Sequence, residues 1–145
     1  DGGPASSAGF ALPTGLEFDR GDLYIIDADA DRIRVVFDCV EVGAPALISP
    51  SQGSSGVATA PVLRWGGVRG ALRYDLLLDT ASPPARIVAA DVETTVHAPS
   101  NLQPLTTYYW KVVARGDPFC VPFSTASSEI RSFTTRADCT VPGEP

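Results

Sequence analysis

The chain has 145 residues and a net charge of −6, and Lys111 is its only lysine. It therefore lacks the basic stripe that neutralises phosphates, which argues against nucleic acid as a partner. No apolar run approaches the roughly 20 residues that span a bilayer, which argues against membrane insertion.

Composition indicates the fold class. Thirteen glycines and thirteen prolines, with no long amphipathic helical pattern, predict an all-β fold of short strands joined by turns. The chain begins at Asp1 and contains no methionine. We interpret it as a processed or excised chain, with removal of a signal peptide as the simplest account.

Residues 12–37 carry three short runs in which apolar and polar side chains alternate. The apolar positions are Leu16, Phe18, Leu23, Ile25, Ile33, Val35 and Phe37. A two-residue repeat is typical of strands. The segment therefore predicts a small three-stranded antiparallel sheet with turns at residues 20–22 and 27–31.

The same segment resembles one repeat of the NHL type of β-propeller. The features in common are a P-x-G triplet before a strand, an Asp and Gly turn before Leu23-Tyr24, and an Asp-rich turn before Arg32-Ile33. A propeller needs several blades to bury its faces, and only one is present. Because open sheet edges must be covered, we expect this sheet to pack on the rest of the chain, on another chain, or on both.

The segment from Leu102 to Ala114 predicts a strand with one dry face. Its pattern L-x-P-x-T-x-Y-x-W-x-V resembles the corner and F strand of the fibronectin type III fold. The matching positions are Leu102, Pro104, Thr106, Tyr108, Trp110 and Val112. The resemblance implies a seven-stranded fibronectin type III or Ig-like sandwich in which the Tyr108 hydroxyl bonds back to nearby backbone.

This resemblance covers residues 44–136. It places strand A at Leu47–Pro50, a turn at residues 51–56, strand B at 61–65, strand C at 73–79, edge strands at 86–90 and 93–98, a loop at 115–126 and strand G at 127–135. Trp65, Tyr74, Leu76 and Leu78 are expected in the core. Residues 1–43 form the N-terminal blade-like segment, and residues 137–145 a linker-like tail.

The three cysteines lie outside any C-x-x-C spacing, which favours extracellular disulfide chemistry over metal binding. In a type III sandwich the start of strand A and the F–G loop lie at the same end. The resemblance therefore implies a Cys39–Cys120 disulfide that ties the N-terminal sheet to the sandwich. Cys139 follows strand G and is expected to be unpaired within its domain, or to bridge to a following module or a neighbouring subunit.

Asp27, Asp29 and Asp31 alternate in a turn, a spacing that suits a hard cation such as calcium, and Asp38 stands where a calcium loop has its closing acid. Arg32 occupies the position where that loop has glycine. A polar hairpin turn is the alternative interpretation. Calcium is the only cofactor that the sequence puts forward.

Arg-Gly-Asp occurs at residues 20–22 and again at Arg115, Gly116 and Asp117. Fibronectin carries its integrin-binding triplet in the F–G loop, where the second triplet falls. Turn chemistry and chance are the alternative explanation, because the chain is rich in these residues.

Catalysis has little support in the sequence. His97 is the only histidine, expected on the outward side of an edge strand beside Val96, and no nucleophile elbow is present. We therefore expect a non-enzymatic extracellular structural protein. It would be a subunit of a surface fibre, stalk or adhesive array whose partners are copies of itself or adjacent β-domains. The alternative is an accessory glycan- or peptide-binding module from a larger secreted enzyme or propeller protein, with Tyr109 as an aromatic platform.

Overall fold

The computed structural model describes residues 7–19, 21–37, 39–120 and 124–137. The chain divides into two compact units, Asp1–Cys39 and Val40–Pro145. The strands are joined by turns and loops, and by a 3-10 turn at Ala28–Ala30. None of the described residues forms a helix with the length and hydropathy of a membrane span.

The first unit contains a three-stranded meander. Its strands are β1 (Pro13–Asp19), β2 (Asp22–Asp27) and β3 (Arg32–Val36), paired antiparallel in that order. The turn between β2 and β3 closes at Asp31, whose φ of 48° is left-handed, a conformation that Asp tolerates better than most residues. The predicted three-stranded sheet is confirmed.

The register of this meander distributes apolar side chains over both faces. Leu16 lies opposite Ile25, and Phe18 opposite Leu23. Ile33 of β3, however, lies opposite Ile26. Because directly opposite residues share a face, Ile33 lies on the other face from Leu16 and Phe18.

The second unit is a sandwich of two sheets built from nine strand segments. They are β4 (Leu47–Ser49), β5 (Ser54–Val57), β6 (Leu63–Trp65), β7 (Arg73–Asp79), β8 (Ile87–Val92), β9 (Val96–His97), β10 (Thr107–Arg115), β11 (Thr125–Ser127) and β12 (Arg131–Thr135). The smaller sheet has the order β4-β6-β9. The larger has the order β5-β12-β10-β7-β8, with β11 also paired to β10. Seven of these segments overlap the seven predicted strands. The other two, β5 and β11, lie mostly in the turn predicted at 51–56 and the loop predicted at 115–126, so the first and the last strand are each divided in two.

Alternating side chains of both sheets fill the core, as the sequence predicts. β10 contributes four buried residues, Tyr108, Trp110, Val112 and Ala114, and β7 contributes Tyr74, Leu76 and Leu78. Trp65 of the smaller sheet packs edge-on against Tyr74, with ring centroids 5.8 Å apart. The Tyr108 hydroxyl accepts a hydrogen bond from the Gln103 N–H at 3.0 Å, which confirms the expected corner.

The first divided strand corrects the turn predicted at residues 51–56. After Ser49 the chain leaves the smaller sheet, and Ser54 begins β5, which pairs parallel with β12. Two hydrogen bonds hold the segment before β5 against β12. The Gly53 N–H donates to the Ser132 carbonyl at 2.8 Å, and the Ser132 N–H donates to the Gln52 side chain at 2.9 Å. Gly53, with φ of 70°, supplies the bend.

The last strand is divided at Ser128, so the loop predicted at 115–126 ends earlier than expected and Thr125 begins β11. Val112 N–H donates to the Ser128 hydroxyl at 2.9 Å, and Ser128 N–H donates to the Val112 carbonyl at 2.8 Å. A side chain thus replaces a backbone acceptor where the ladder is interrupted.

Val42 packs in the sandwich core with 6% of its surface exposed. It lies within the segment 1–43 that the sequence assigns to the N-terminal part. Gly70, with φ of 78°, approaches the carbonyls of Val40 and Glu41 so closely that a Cβ there would lie 3.0 Å from one of them. The residues after Cys39 are therefore part of the sandwich. Of the tail predicted at 137–145, residues 138–145 lie outside the described residues.

Candidate functional site

The small N-terminal sheet and the residues beside it carry many exposed apolar side chains. Fifteen large hydrophobic side chains are exposed across the described ranges, and the first unit, a minor part of the chain, holds seven of them. They are Phe10, Leu12, Leu16, Phe18, Ile26, Ile33 and Phe37. Concentrated exposed apolar surface of this kind marks interaction sites in soluble proteins.

The two edges of this sheet carry charges of opposite sign. Within the described part of the chain, β1 and β3 each pair only with β2. β1 carries Glu17 and Asp19 among its apolar residues, and β3 carries Arg32 and Arg34. An open edge is a template for pairing with another strand, and these two edges have complementary charge.

An apolar groove of about 500 Å³ lies along the start of β1. Its lining residues are Phe10, Pro13, Thr14, Gly15, Leu16 and Ile25. Thr14 is the only one of them with a polar side chain. This surface is suited to apolar side chains rather than to a polar small molecule.

Asp27 anchors the segment that precedes β1. Its side chain is inaccessible to solvent and accepts hydrogen bonds from the Leu12 N–H at 2.9 Å, from the Ala11 N–H at 3.2 Å and from the Arg34 guanidinium at 3.4 Å. The Leu12 hydrogen bond, with those of Ala11 and Arg34, holds the pKa of the Asp27 carboxyl below its ordinary value despite the opposing effect of burial. Arg34 also stacks over the Phe10 ring at 5.4 Å.

The predicted calcium ligands are not gathered by the described structure. The Asp27 carboxylate accepts hydrogen bonds from N–H donors. Asp29 and Asp31 are exposed in the turn, and Asp38 lies outside the described residues. The described ranges contain no group of three or more His, Cys, Asp or Glu side chains placed to hold a metal.

Calcium binding stays a prediction that melting temperatures can test. Asp29→Ala and Asp31→Ala are expected to remove any rise in melting temperature that calcium produces in the wild type, because each removes a carboxylate that a cation would need. Equal melting of the wild type in calcium and in chelator would exclude the site.

The second Arg-Gly-Asp triplet begins inside a strand. Arg115 ends β10, and its guanidinium donates to Asp75 at 3.2 Å and to Asp91 at 3.5 Å. A Cβ at Gly116 would lie 2.8 Å from the Gly70 carbonyl. Asp117 accepts from the Phe119 N–H at 2.9 Å. Each residue has a structural contact, and integrin recognition stays an untested prediction. Residue 20 of the first triplet lies outside the described residues.

Cys39 and Cys120 form a disulfide bond, which confirms the predicted pair. Cys120 is buried in the loop after β10, with its N–H donating to the Asp117 carbonyl at 3.0 Å. Cys139 lies outside the described residues, so its pairing stays a prediction.

His97 was expected on the outward side of its edge strand, and this prediction was wrong. His97 lies opposite the fully buried Leu63 and is half-buried, while Val96 is the exposed neighbour. The histidine therefore lies on the inward side of its strand.

Among the described carboxyls, only Asp27 and Asp79 have a clearly lowered pKa. In Asp79 the main cause of the lowered pKa is the hydrogen bond from the Thr80 N–H, at 2.8 Å. In both carboxyls a hydrogen bond from a backbone N–H is the largest cause of the lowered pKa.

Sequence reasoning missed the anchoring role of Asp27 and the contribution of Phe10 and Arg34. The signal was present in the alternation, because Leu23, Ile25 and Asp27 share one face of β2. A carboxylate on the buried face of a strand must find donors, and the preceding segment supplies them.

The strand pairing described above identifies the architecture of the second unit. It is an all-β sandwich with a fibronectin type III-like fold. No family model matches the chain, and no curated protein matches it. Nothing in these comparisons supports the NHL resemblance, so for the first unit the three-stranded meander alone is shown.

Several solved structures are similar to the chain. A fibronectin type III domain of human fibronectin type III domain containing protein 3 has 22% identity and a TM-score of 0.48, covering 72% of this chain and 95% of that domain. An Fn3-like protein from Clostridium thermocellum has 20% identity and a TM-score of 0.48, covering 66% of this chain and 98% of its own. The structure of FN3tt mut has 17% identity and a TM-score of 0.42, covering 65% of this chain and 97% of its own.

Proposed function

We propose that the chain is a non-enzymatic extracellular structural module that assembles with copies of itself, as a subunit of a surface fibre, stalk or adhesive array. The observation that carries this proposal is the set of seven exposed apolar side chains in and beside a small sheet whose outer strands, among the described residues, pair only with β2. Leaving such a surface in water is unfavourable by about 25 cal/mol per Å², which association would recover.

The disulfide supports an extracellular site of action. Structural disulfides persist in oxidising compartments and are rare where thiols are kept reduced. The bonded pair Cys39–Cys120 therefore fits a secreted or surface protein better than a cytosolic one.

Sedimentation velocity of the full chain over a wide concentration range tests the assembly. Phe18 and Ile33 are 74% and 65% exposed, so Phe18→Thr with Ile33→Thr should weaken association with little cost in folding. Ile87→Thr is the matched control, because Ile87 is 55% exposed on β8 of the sandwich. A chain that stays monomeric at the highest concentration, with and without calcium, would exclude the proposal.

A second candidate function is binding of a glycan or peptide as an accessory module of a larger secreted protein. Leu72 and Phe119 favour it, since they are 60% and 70% exposed near the end of β10, where the Leu72 N–H donates to the Arg115 carbonyl at 2.7 Å. Tyr109 is half-buried between residues of neighbouring strands and offers less surface. Binding by a monomer on a glycan or peptide array, lost in Leu72→Ser, would support this function instead.

A further inference from the structure

We propose that the assembly joint is an antiparallel pairing of β3 of one copy with β1 of the next, in the register that places Arg34 opposite Glu17. This inference rests on the proposed function and specifies its partner as a second copy of this chain. The mode is strand addition to an open edge, in which main-chain hydrogen bonds supply affinity and side chains supply register.

The proposed register matches every pair along the joint. With Arg34 opposite Glu17, Arg32 lies opposite Asp19, so both arginines meet acids. The intervening residues are apolar: Ile33 lies opposite Phe18, and Val35 opposite Leu16. At the end of the joint Val36 lies opposite Gly15, which adds no clash because glycine has no side chain.

The faces of the two strands are consistent with this register. Since opposite residues of an antiparallel pair share a face, the joint puts both Arg–acid pairs on one face and both apolar pairs on the other. A shift by one residue would oppose side chains that point to different faces, so only shifts by two residues compete. Either of these shifts keeps one Arg–acid pair and leaves the other arginine opposite a glycine, Gly15 or Gly21.

Contacts within each copy do not prevent the joint. Arg34 already contacts Asp27, and Arg32 also has a contact within its own chain. A guanidinium offers five N–H donors, so each arginine keeps donors for an acid of the next copy. The joint covers Ile33, Phe18 and Leu16, which are exposed in the single chain.

The joint also continues the alternation of strand directions, because β1 and β3 run parallel to each other within one meander. Each added copy is turned over relative to the one before it. Such head-to-tail contacts leave an open edge at both ends and build open chains rather than closed rings. A joint of this length is small, so assembly should depend on concentration and weaken with salt.

Charge reversal with mixing tests the joint. Asp19→Arg alone places two arginines opposite each other across the joint, and Arg32→Asp alone places two aspartates opposite each other. Each variant should therefore need about tenfold more protein than the wild type to assemble. An equimolar mixture of the two variants should assemble like the wild type, because every joint between unlike copies again pairs Arg with Asp. Arg64→Asp, at an exposed arginine of β6, is the control with the same change in charge as Arg32→Asp and should assemble like the wild type.

Sedimentation velocity at low salt compares the wild type, the three variants and the mixture. Assembly that persists in both single variants would overturn the joint and leave the proposed function standing. Weak single variants that mixing does not restore would also overturn it, since the charges would then act within one chain. A monomeric wild type would overturn both proposals. If a charge-reversal variant unfolds, the neutral variants Asp19→Asn and Arg32→Gln are used in place of the charge-reversal variants. Assembly that persists in either neutral variant would then overturn the joint.

Discussion

At the scale of single residues, Asp27 shows how one carboxylate holds the segment that precedes the first strand. Two backbone N–H groups and one guanidinium satisfy it in a site without solvent. The pKa of the carboxyl, ordinarily 3.8, is lowered in the folded chain. The stabilisation is therefore fully present above pH 3.8 and is lost as the pH falls through the lowered pKa.

This linkage predicts an acid-sensitive anchor. The amide proton shifts of Ala11 and Leu12, followed by NMR, should titrate with a midpoint below pH 3.8 in the wild type. Asp27→Asn should remove the titration, because an amide side chain does not ionise in this range. Asp29→Asn is the control: Asp29 is exposed in the turn, so the shifts should titrate as in the wild type. A titration that survives Asp27→Asn would assign it to another group.

Leu105 combines a left-handed backbone with a side chain that is 75% exposed. An L-residue with φ of 50° carries about 1–2 kcal/mol of strain that glycine avoids, while glycine adds about 0.5–1 kcal/mol of chain entropy to the unfolded state. Leu105→Gly should therefore stabilise the sandwich by about 0.5 kcal/mol in urea unfolding. Leu105→Ala keeps the Cβ and should change the free energy of unfolding little, and a loss of stability in Leu105→Gly would contradict the strain.

At the scale of elements, the interruption between β11 and β12 depends on one hydroxyl. Ser128 accepts the N–H of Val112, a residue with no exposed surface. Ser128→Ala leaves that donor unsatisfied and should cost about 1–3 kcal/mol in the free energy of unfolding. Ser127→Ala, at the neighbouring exposed position, is the matched control. Equal stability of the two variants would show that water or a shifted strand satisfies Val112.

The same elements show what sequence patterns can predict. Strict alternation predicts β7 and β10 together with their buried residues, because a two-residue repeat fixes both the strand and its face. The sequence predicts a turn where β5 forms, because the serines and glycines of residues 51–56 are a local turn signal, whereas the partner strand β12 is distant in the chain. The face of Ile33 depends on the register set by the turn before it, which alternation does not specify.

The candidate site is predictable to a similar degree. The Cys39–Cys120 pair follows from the resemblance to a known topology, in which the start of strand A and the F–G loop are neighbours. The carboxylates at 27–31 are recognisable as a cluster in sequence, but burial separates Asp27 from the exposed Asp29 and Asp31. Whether a carboxylate meets N–H donors or a cation depends on backbone positions that spacing alone does not give.

At the scale of the whole molecule, the disulfide closes a loop of about 80 residues, and on the loop-entropy model such a bond stabilises the folded chain by about 4 kcal/mol. Urea unfolding of Cys39→Ala with Cys120→Ala should show a loss approaching this value. Cys139→Ala should unfold like the wild type in dilute solution. A double variant as stable as the wild type would mean that the closed loop does not restrict the unfolded state.

The disulfide also determines how tension passes through the chain. When the two ends are pulled apart, the covalent path runs from Cys39 directly to Cys120, so the chain between them is bypassed and cannot be drawn out. Of the sandwich strands, only β11 and β12 remain on that path. Reduction would add about 280 Å of extensible length, at roughly 3.5 Å per residue. In the oxidised chain only the segments before Cys39 and after Cys120 can extend under tension, so the redox state of this one bond sets whether β4 to β10 can be drawn out.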